Sequence, residues 1–70
     1  MIIVRLDRAL AERKMTLRRL AYMINISEVN LSRFKTGTIK SIRVDLLNDI
    51  CKALNCQPKD ILEFRWDDID

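Results

Sequence analysis

Seventy residues make one domain, because chains divide only at lengths several times greater. A chain this short buries only about 60% of its unfolded surface, so its core is marginal. A composition of 49% hydrophobic and 33% charged residues, with one Gly and one Pro, excludes low-complexity, collagen-like and disordered classes. The net charge of +3 hides a division: residues 1–40 carry nine Lys/Arg against three acids, residues 41–70 four against seven. Such asymmetry gives one part of the chain an affinity for phosphate that the other lacks.

Four or five short helices follow from apolar periodicity and capping residues. Leu6, Ala9 and Leu10 share a face of a first helix ending near Arg13. Thr16 caps a second, with Met15 before it placed to touch Leu20 as a hydrophobic staple. Its buried stripe is Leu17, Leu20, Ala21 and Ile24, spaced i, i+3, i+4, i+7. The cap-and-staple pattern then repeats at once: Ser27 caps a third helix, Ile26 precedes it and Leu31 closes the staple. This helix runs to about Lys35, and Gly37 supplies the positive φ that ends it. A loop over 36–42 carries Lys40. A fourth helix aligns Leu46, Leu47, Ile50, Cys51 and Leu54, and Pro58 opens a short fifth, Lys59 to Leu62. At the ends, β-branched Ile2-Ile3-Val4 and the alternating Glu63-Phe64-Arg65-Trp66 favour a short strand pairing over frayed tails. The acidic tail Asp67-Asp68-Ile69-Asp70 reads as mobile.

Most site chemistries find no material here. Two cysteines and no histidine cannot fill a zinc site of about four N/S ligands, so no metal or cofactor is expected. Cys51 reads as a small core residue and Cys56 as a loop thiol. Asp45 and Asp49, one helical turn apart, read as a solvated face rather than an acid/base pair. With no nucleophile–base pair and no phosphate-binding glycine loop, an enzyme is not expected. No apolar run approaches the ~20 residues of a membrane span. Met1-Ile2-Ile3-Val4 is too short for a signal-peptide core, so the chain is expected in the cytoplasm, away from membranes.

The chemistry lies in the second and third helices. A connection as short as Asn25-Ile26 forces a steep crossing, so the second helix braces the third and leaves its outer face projecting. At 100° per residue, Ser27, Leu31 and Phe34 turn inward, while Val29, Ser32, Arg33 and Thr36 project, flanked by Glu28 and Asn30. Arg forks onto guanine O6/N7, Asn onto adenine, Glu accepts from cytosine N4, and Val packs on a thymine methyl. Arg18, Arg19, Lys35 and Lys40 surround this arc as candidate phosphate partners.

Residues 16–37, with Leu20-Ala21 in the first helix, Ile26-Ser27 at the turn, Leu31-Ser32-Arg33 in the second and Gly37 at its end, resemble the helix-turn-helix of Cro/C1-type (Xre-like) regulators. The segments Ile42 to Leu54 and Cys56-Gln57-Pro58 to Leu62 resemble the supporting helices of small stand-alone members, so the likeness covers about residues 5–64. It implies an all-α fold: a compact bundle of about five short helices with a lambda-repressor-like motif at 16–37 and supporting helices at 5–14, 43–55 and 58–63, in one domain over 1–70. It implies a homodimer on a pseudo-palindromic operator in double-stranded DNA, acting as a repressor or autoregulator. By position it points to Glu28, Val29 and Arg33 as base readers. Thr16, Ser27, Asn30, Ser32, Lys35 and Thr36 would make backbone or mixed contacts, and the basic surroundings add Arg18 and Lys40. Three positions depart from the family pattern. Asn25 stands at the usual turn Gly, Leu17 at a position often Gln, and Thr36 at the usual Asn before the closing glycine. The alternative is a protein-interaction module, such as an antitoxin or accessory factor, holding a protein partner through Val29 and Tyr22. In a monomer Phe64 and Trp66 would cap the core beside Ile2-Ile3-Val4; in a dimer the same residues would make a small isologous seam, with helices 4–5 and the C-terminal segment as candidate surfaces.

Overall fold

The computed structural model describes residues 1–37 and 41–66, so Lys40 and the acidic tail lie outside the described residues. In chain order the elements are β1 (Ile2–Val4), α1 (Leu6–Glu12), α2 (Leu17–Ile24), α3 (Glu28–Thr36), α4 (Val44–Leu54), a single 3-10 turn (Pro58–Asp60) and β2 (Leu62–Phe64). Among the described residues the helices therefore number four rather than five. The predicted fifth helix stops after one turn because Leu62 is drawn into strand pairing with Val4. Pro58 still opens that turn, and the Gln57 N–H donates to Asp60 Oδ2 at 2.9 Å. The strands pair antiparallel in the register Ile2↔Phe64, Ile3↔Glu63, Val4↔Leu62, with the Arg65 N–H reaching the Met1 carbonyl at 2.8 Å. The expected pairing of the two ends is present, so the chain is mostly helical with a small sheet.

Leu6, Ala9, Leu10, Leu20, Ala21, Leu31, Phe34, Ile50, Leu54 and Ile61 form the core, one contribution or more from each helix and one from just before β2. Every buried residue among those described is apolar, so burying them leaves no side-chain polar group to satisfy. Three helices end alike, each with a non-glycine residue in left-handed conformation: Lys14 (φ 53°), Asn25 (φ 60°) and Asn55 (φ 53°). Each end is a Schellman motif closed by two backbone bonds. Met15 N–H reaches the Leu10 carbonyl, Ile26 N–H that of Ala21 and Cys56 N–H that of Cys51, all at 3.0 Å. Such an end turns the chain sharply back over its own helix, which is how 70 residues accommodate four of them. Arg13 closes α4 from outside by donating Nε–H to the Leu54 carbonyl.

Beside the sheet, Arg5 Nε donates to Glu63 Oε1 at 3.0 Å. That hydrogen bond and the charge behind it hold the Glu63 carboxyl below the ordinary carboxylate range. A lowered acid pKa contributes stability that is complete above the unfolded value and lost as pH falls through the folded one. Glu63→Gln is therefore expected to destabilise the protein at pH 7 more than at pH 3, measured by urea unfolding. A gap of equal size at both pH values would remove the linkage.

Trp66 and Phe64 do not cap the core. Val4 and Leu62 occupy that place, and the same strand face runs past the helices, leaving Phe64 52% and Trp66 83% exposed. The two rings stack on each other edge to face, centroids 4.7 Å apart. No helix among the described residues is long and apolar enough to cross a membrane.

Candidate nucleic-acid interface

The interface is assembled from two capped helices and the turn between them. Thr16 Oγ1 accepts the Arg19 N–H at 3.1 Å and Ser27 Oγ accepts the Asn30 N–H at 3.1 Å, each satisfying one of the donors that a helix start leaves open. Both residues are exposed. Ser27 therefore does not turn inward with Leu31 and Phe34 as 100° per residue implies, because an N-cap has extended rather than helical backbone (φ −71°, ψ 148°). Thr16→Ala and Ser27→Ala are each expected to cost about 1 kcal/mol. Thermal melting should show this as a drop of roughly 4–8 °C; an unchanged midpoint would mean the caps are replaced by solvent at no cost.

Asn25 (φ 60°, ψ 48°) makes the turn that glycine usually makes, because asparagine tolerates this conformation better than most residues. Beyond it α3 lies against α2 by one side only. Leu31 and Phe34 are fully buried there, while Glu28, Val29, Asn30, Arg33 and Thr36 are exposed and Ser32 and Lys35 half-buried. Gly37 (φ 76°) ends the helix as expected.

The three predicted base readers come together. Glu28, Val29 and Arg33 line one shallow depression with Ser32, Thr36 and Leu17. Asn30 opens instead onto a neighbouring hollow shared with Ile26 and Arg43. Val29 is 63% exposed, a methyl-bearing residue standing among donors. The Thr36 hydroxyl donates to the Arg33 carbonyl at 3.3 Å. Arg18 Nε lies 3.6 Å from Glu28 Oε1, so the acid at the start of α3 has a cation beside it as well as the positive end of the helix dipole. That pairing reduces the repulsion an isolated carboxylate would exert on phosphate.

One residue reaches the site from a position read in the sequence as core and as a departure from the family pattern, and a second was not singled out from sequence. Leu17 packs half-buried against the core and still reaches the recognition depression, so an apolar wall stands where the family commonly has a polar side chain. Arg43 stands at the N-cap of α4 beside Asn30, its guanidinium 3.0 Å from Asp45 Oδ2. The charge division at residue 40 had placed Arg43 in the acidic half of the chain. Its signal was available only as the extended residue before the Val44 helix start.

Cys51 and Cys56 are free and both half-buried, so Cys51 packs against the core rather than within it.

Comparison with known proteins agrees with this geometry. The model of the Cro/C1-type HTH DNA-binding domain matches residues 5–67. The chain is 49% identical over 67 residues to the uncharacterized HTH-type transcriptional regulator YozG of Bacillus subtilis (strain 168), covering 96% of this chain and 80% of that one. It is similar, with a TM-score of 0.79 and 28% identity, to the crystal structure of a Bacteroides fragilis protein assigned as DNA-binding, over 90% of this chain and all of that one. This is a DNA-binding family and not an enzyme class. A match over almost the whole length, on a fold whose capped helices hold Glu28, Val29 and Arg33 together, means that the chain belongs to the Cro/C1-type HTH DNA-binding domain family and is a DNA-binding transcriptional regulator.

Proposed function

We propose that the protein is a cytoplasmic repressor or autoregulator that binds a pseudo-palindromic operator as a homodimer. The observation that carries this reading is the exposed face of α3, where an acid, an apolar methyl group and a guanidinium share one depression on a helix anchored by Leu31 and Phe34. In the major groove Arg33 takes guanine, Val29 a thymine methyl and Glu28 cytosine. Thr16, Ser27, Asn30, Ser32, Lys35 and Thr36 hold the sugar-phosphate backbone or share in base contacts, and Arg18 adds a cation at the motif's edge. Lys40 completes this set from outside the described residues, and Arg43 joins it from the start of α4.

The dimer reading is supported by the apolar end of the sheet, where Ile2, Phe64 and Trp66 are 55%, 52% and 83% exposed. Two copies meeting there across a two-fold axis cover those side chains reciprocally. Two recognition helices about 34 Å apart then meet successive major grooves on one duplex face, and repression follows from occupancy.

Fluorescence anisotropy on DNA from upstream of the protein's own gene tests the reading, with unrelated duplex as competitor and several salt concentrations. The expected result is a preference of about three decades or more for its own DNA and affinity that falls steeply with salt, as counterion release requires. Weak, salt-indifferent binding that is equal for both duplexes would overturn it. Sedimentation of the complex gives the stoichiometry, where one protomer per site would remove the homodimer.

A further inference from the structure

The three Schellman motifs differ in what they bring together. The motif sets the residue four positions before the left-handed one against the residue just after it, where an apolar contact usually forms. At α1 that pair is Leu10 with Met15 and at α2 it is Ala21 with Ile26. At α4 it is Cys51 with Cys56. The Cys56 N–H to Cys51 carbonyl bond of 3.0 Å and standard bond lengths confine the two Cα atoms to within about 7 Å, the limit beyond which a disulfide cannot close. The Cys51 side chain lies near enough to Cys56 to raise its pKa. Both line a groove between α4 and the 3-10 turn, edged by Val44, Leu47, Lys52 and Pro58, which gives a small reagent access. Neither residue belongs to the DNA-facing surface.

We propose that Cys51 and Cys56 form a modification site, a dithiol that the fold holds ready for reversible closure to an intramolecular disulfide by low-molecular-weight disulfides of the glutathione class. One thiolate attacks the small disulfide RSSR, forming a mixed disulfide and releasing RS⁻. The neighbouring thiolate attacks the protein sulfur of that mixed disulfide, forming the Cys51–Cys56 bond and releasing the second RS⁻. Two electrons pass from the protein to RSSR, and the two thiol protons leave with the two RSH. Burial, then the adjacent Cys51, raises the Cys56 pKa, Arg13 opposes the rise and Asp60 adds to it. Closure is accordingly faster in mildly alkaline buffer, where more thiolate is present.

The full-length protein is equilibrated in reduced and oxidised glutathione mixtures, quenched in acid, alkylated with N-ethylmaleimide and weighed by mass spectrometry, folded and in urea. The expected product is a species two hydrogens lighter, without glutathione and without alkylation. Its equilibrium constant is expected to be at least about tenfold larger for the folded protein than for the unfolded chain. Linkage then requires the oxidised protein to unfold at the higher urea concentration. Cys56→Ser is expected to accept a single glutathione at Cys51. A folded-state constant equal to or below the unfolded one, a stable glutathione adduct on the folded wild type, or disulfide-linked dimers instead of the internal bond would overturn the proposal. Each of these overturning outcomes is read on wild-type protein, so the test stands even if the serine variant fails to fold.

Discussion

Phe34→Ala is expected to cost about 3–5 kcal/mol and to leave the chain largely unfolded at 25 °C if its stability is at the lower end of the ~5–15 kcal/mol usual for a domain. Phe34 is fully buried and is the largest side chain in the core. It sits one turn before Gly37, with β1 packed on the same helix. Its removal takes away the transfer energy of an aromatic ring and leaves a cavity that neighbouring elements cannot easily fill, because α3 is tied to α2 by the turn at Asn25 and to the sheet by β1. Urea denaturation followed by circular dichroism measures the loss; Phe34→Leu, which keeps most of the volume, should lose far less. A midpoint unchanged in the alanine variant would mean that α3 is held by something other than its inner face, and the account of how the recognition surface is positioned would fail with it.

Arg33→Ala, one residue away, is expected to do the opposite: little to stability and much to recognition. Arg33 is exposed, and surface substitutions away from caps and cores usually stay within about 0.5 kcal/mol. In the proposed complex its guanidinium makes a bidentate contact to one base, worth about 1–3 kcal/mol of discrimination, or roughly a fivefold to 150-fold narrowing between operator and unrelated DNA. Binding to unrelated duplex should weaken less, because there Arg33 acts only as a charge. Anisotropy titrations of both duplexes, beside a thermal melt, separate the effects. Equal weakening on both duplexes would reassign Arg33 to the phosphate backbone. Arg33→Lys discriminates further, since a lysine keeps the charge but loses the planar fork.

The sequence by itself determined the helix-turn-helix. Thr16 and Ser27 cap as predicted, the apolar stripes pack as predicted, and Gly37 ends α3, because periodicity, caps and terminators are local signals that short helices cannot do without. Glu28, Val29 and Arg33 were legible as one face for the same reason: a rigid helix converts spacing into direction. Three matters escaped that reading, the first two decided only by tertiary structure. Residues 58–63 carry a sound helix start, yet the pairing of Leu62 with Val4, nearly the whole chain apart, cuts the helix to one turn. Arg43 was counted with the acidic half until α4 brought it beside Asn30. Cys51 and Cys56 looked like a core residue and a loop thiol until the left-handed Asn55 folded one back on the other. The first two depend on contacts between residues whose local preferences do not mention one another, and burial of shared apolar surface outweighs those preferences; the third is a local helix end that apolar periodicity does not display.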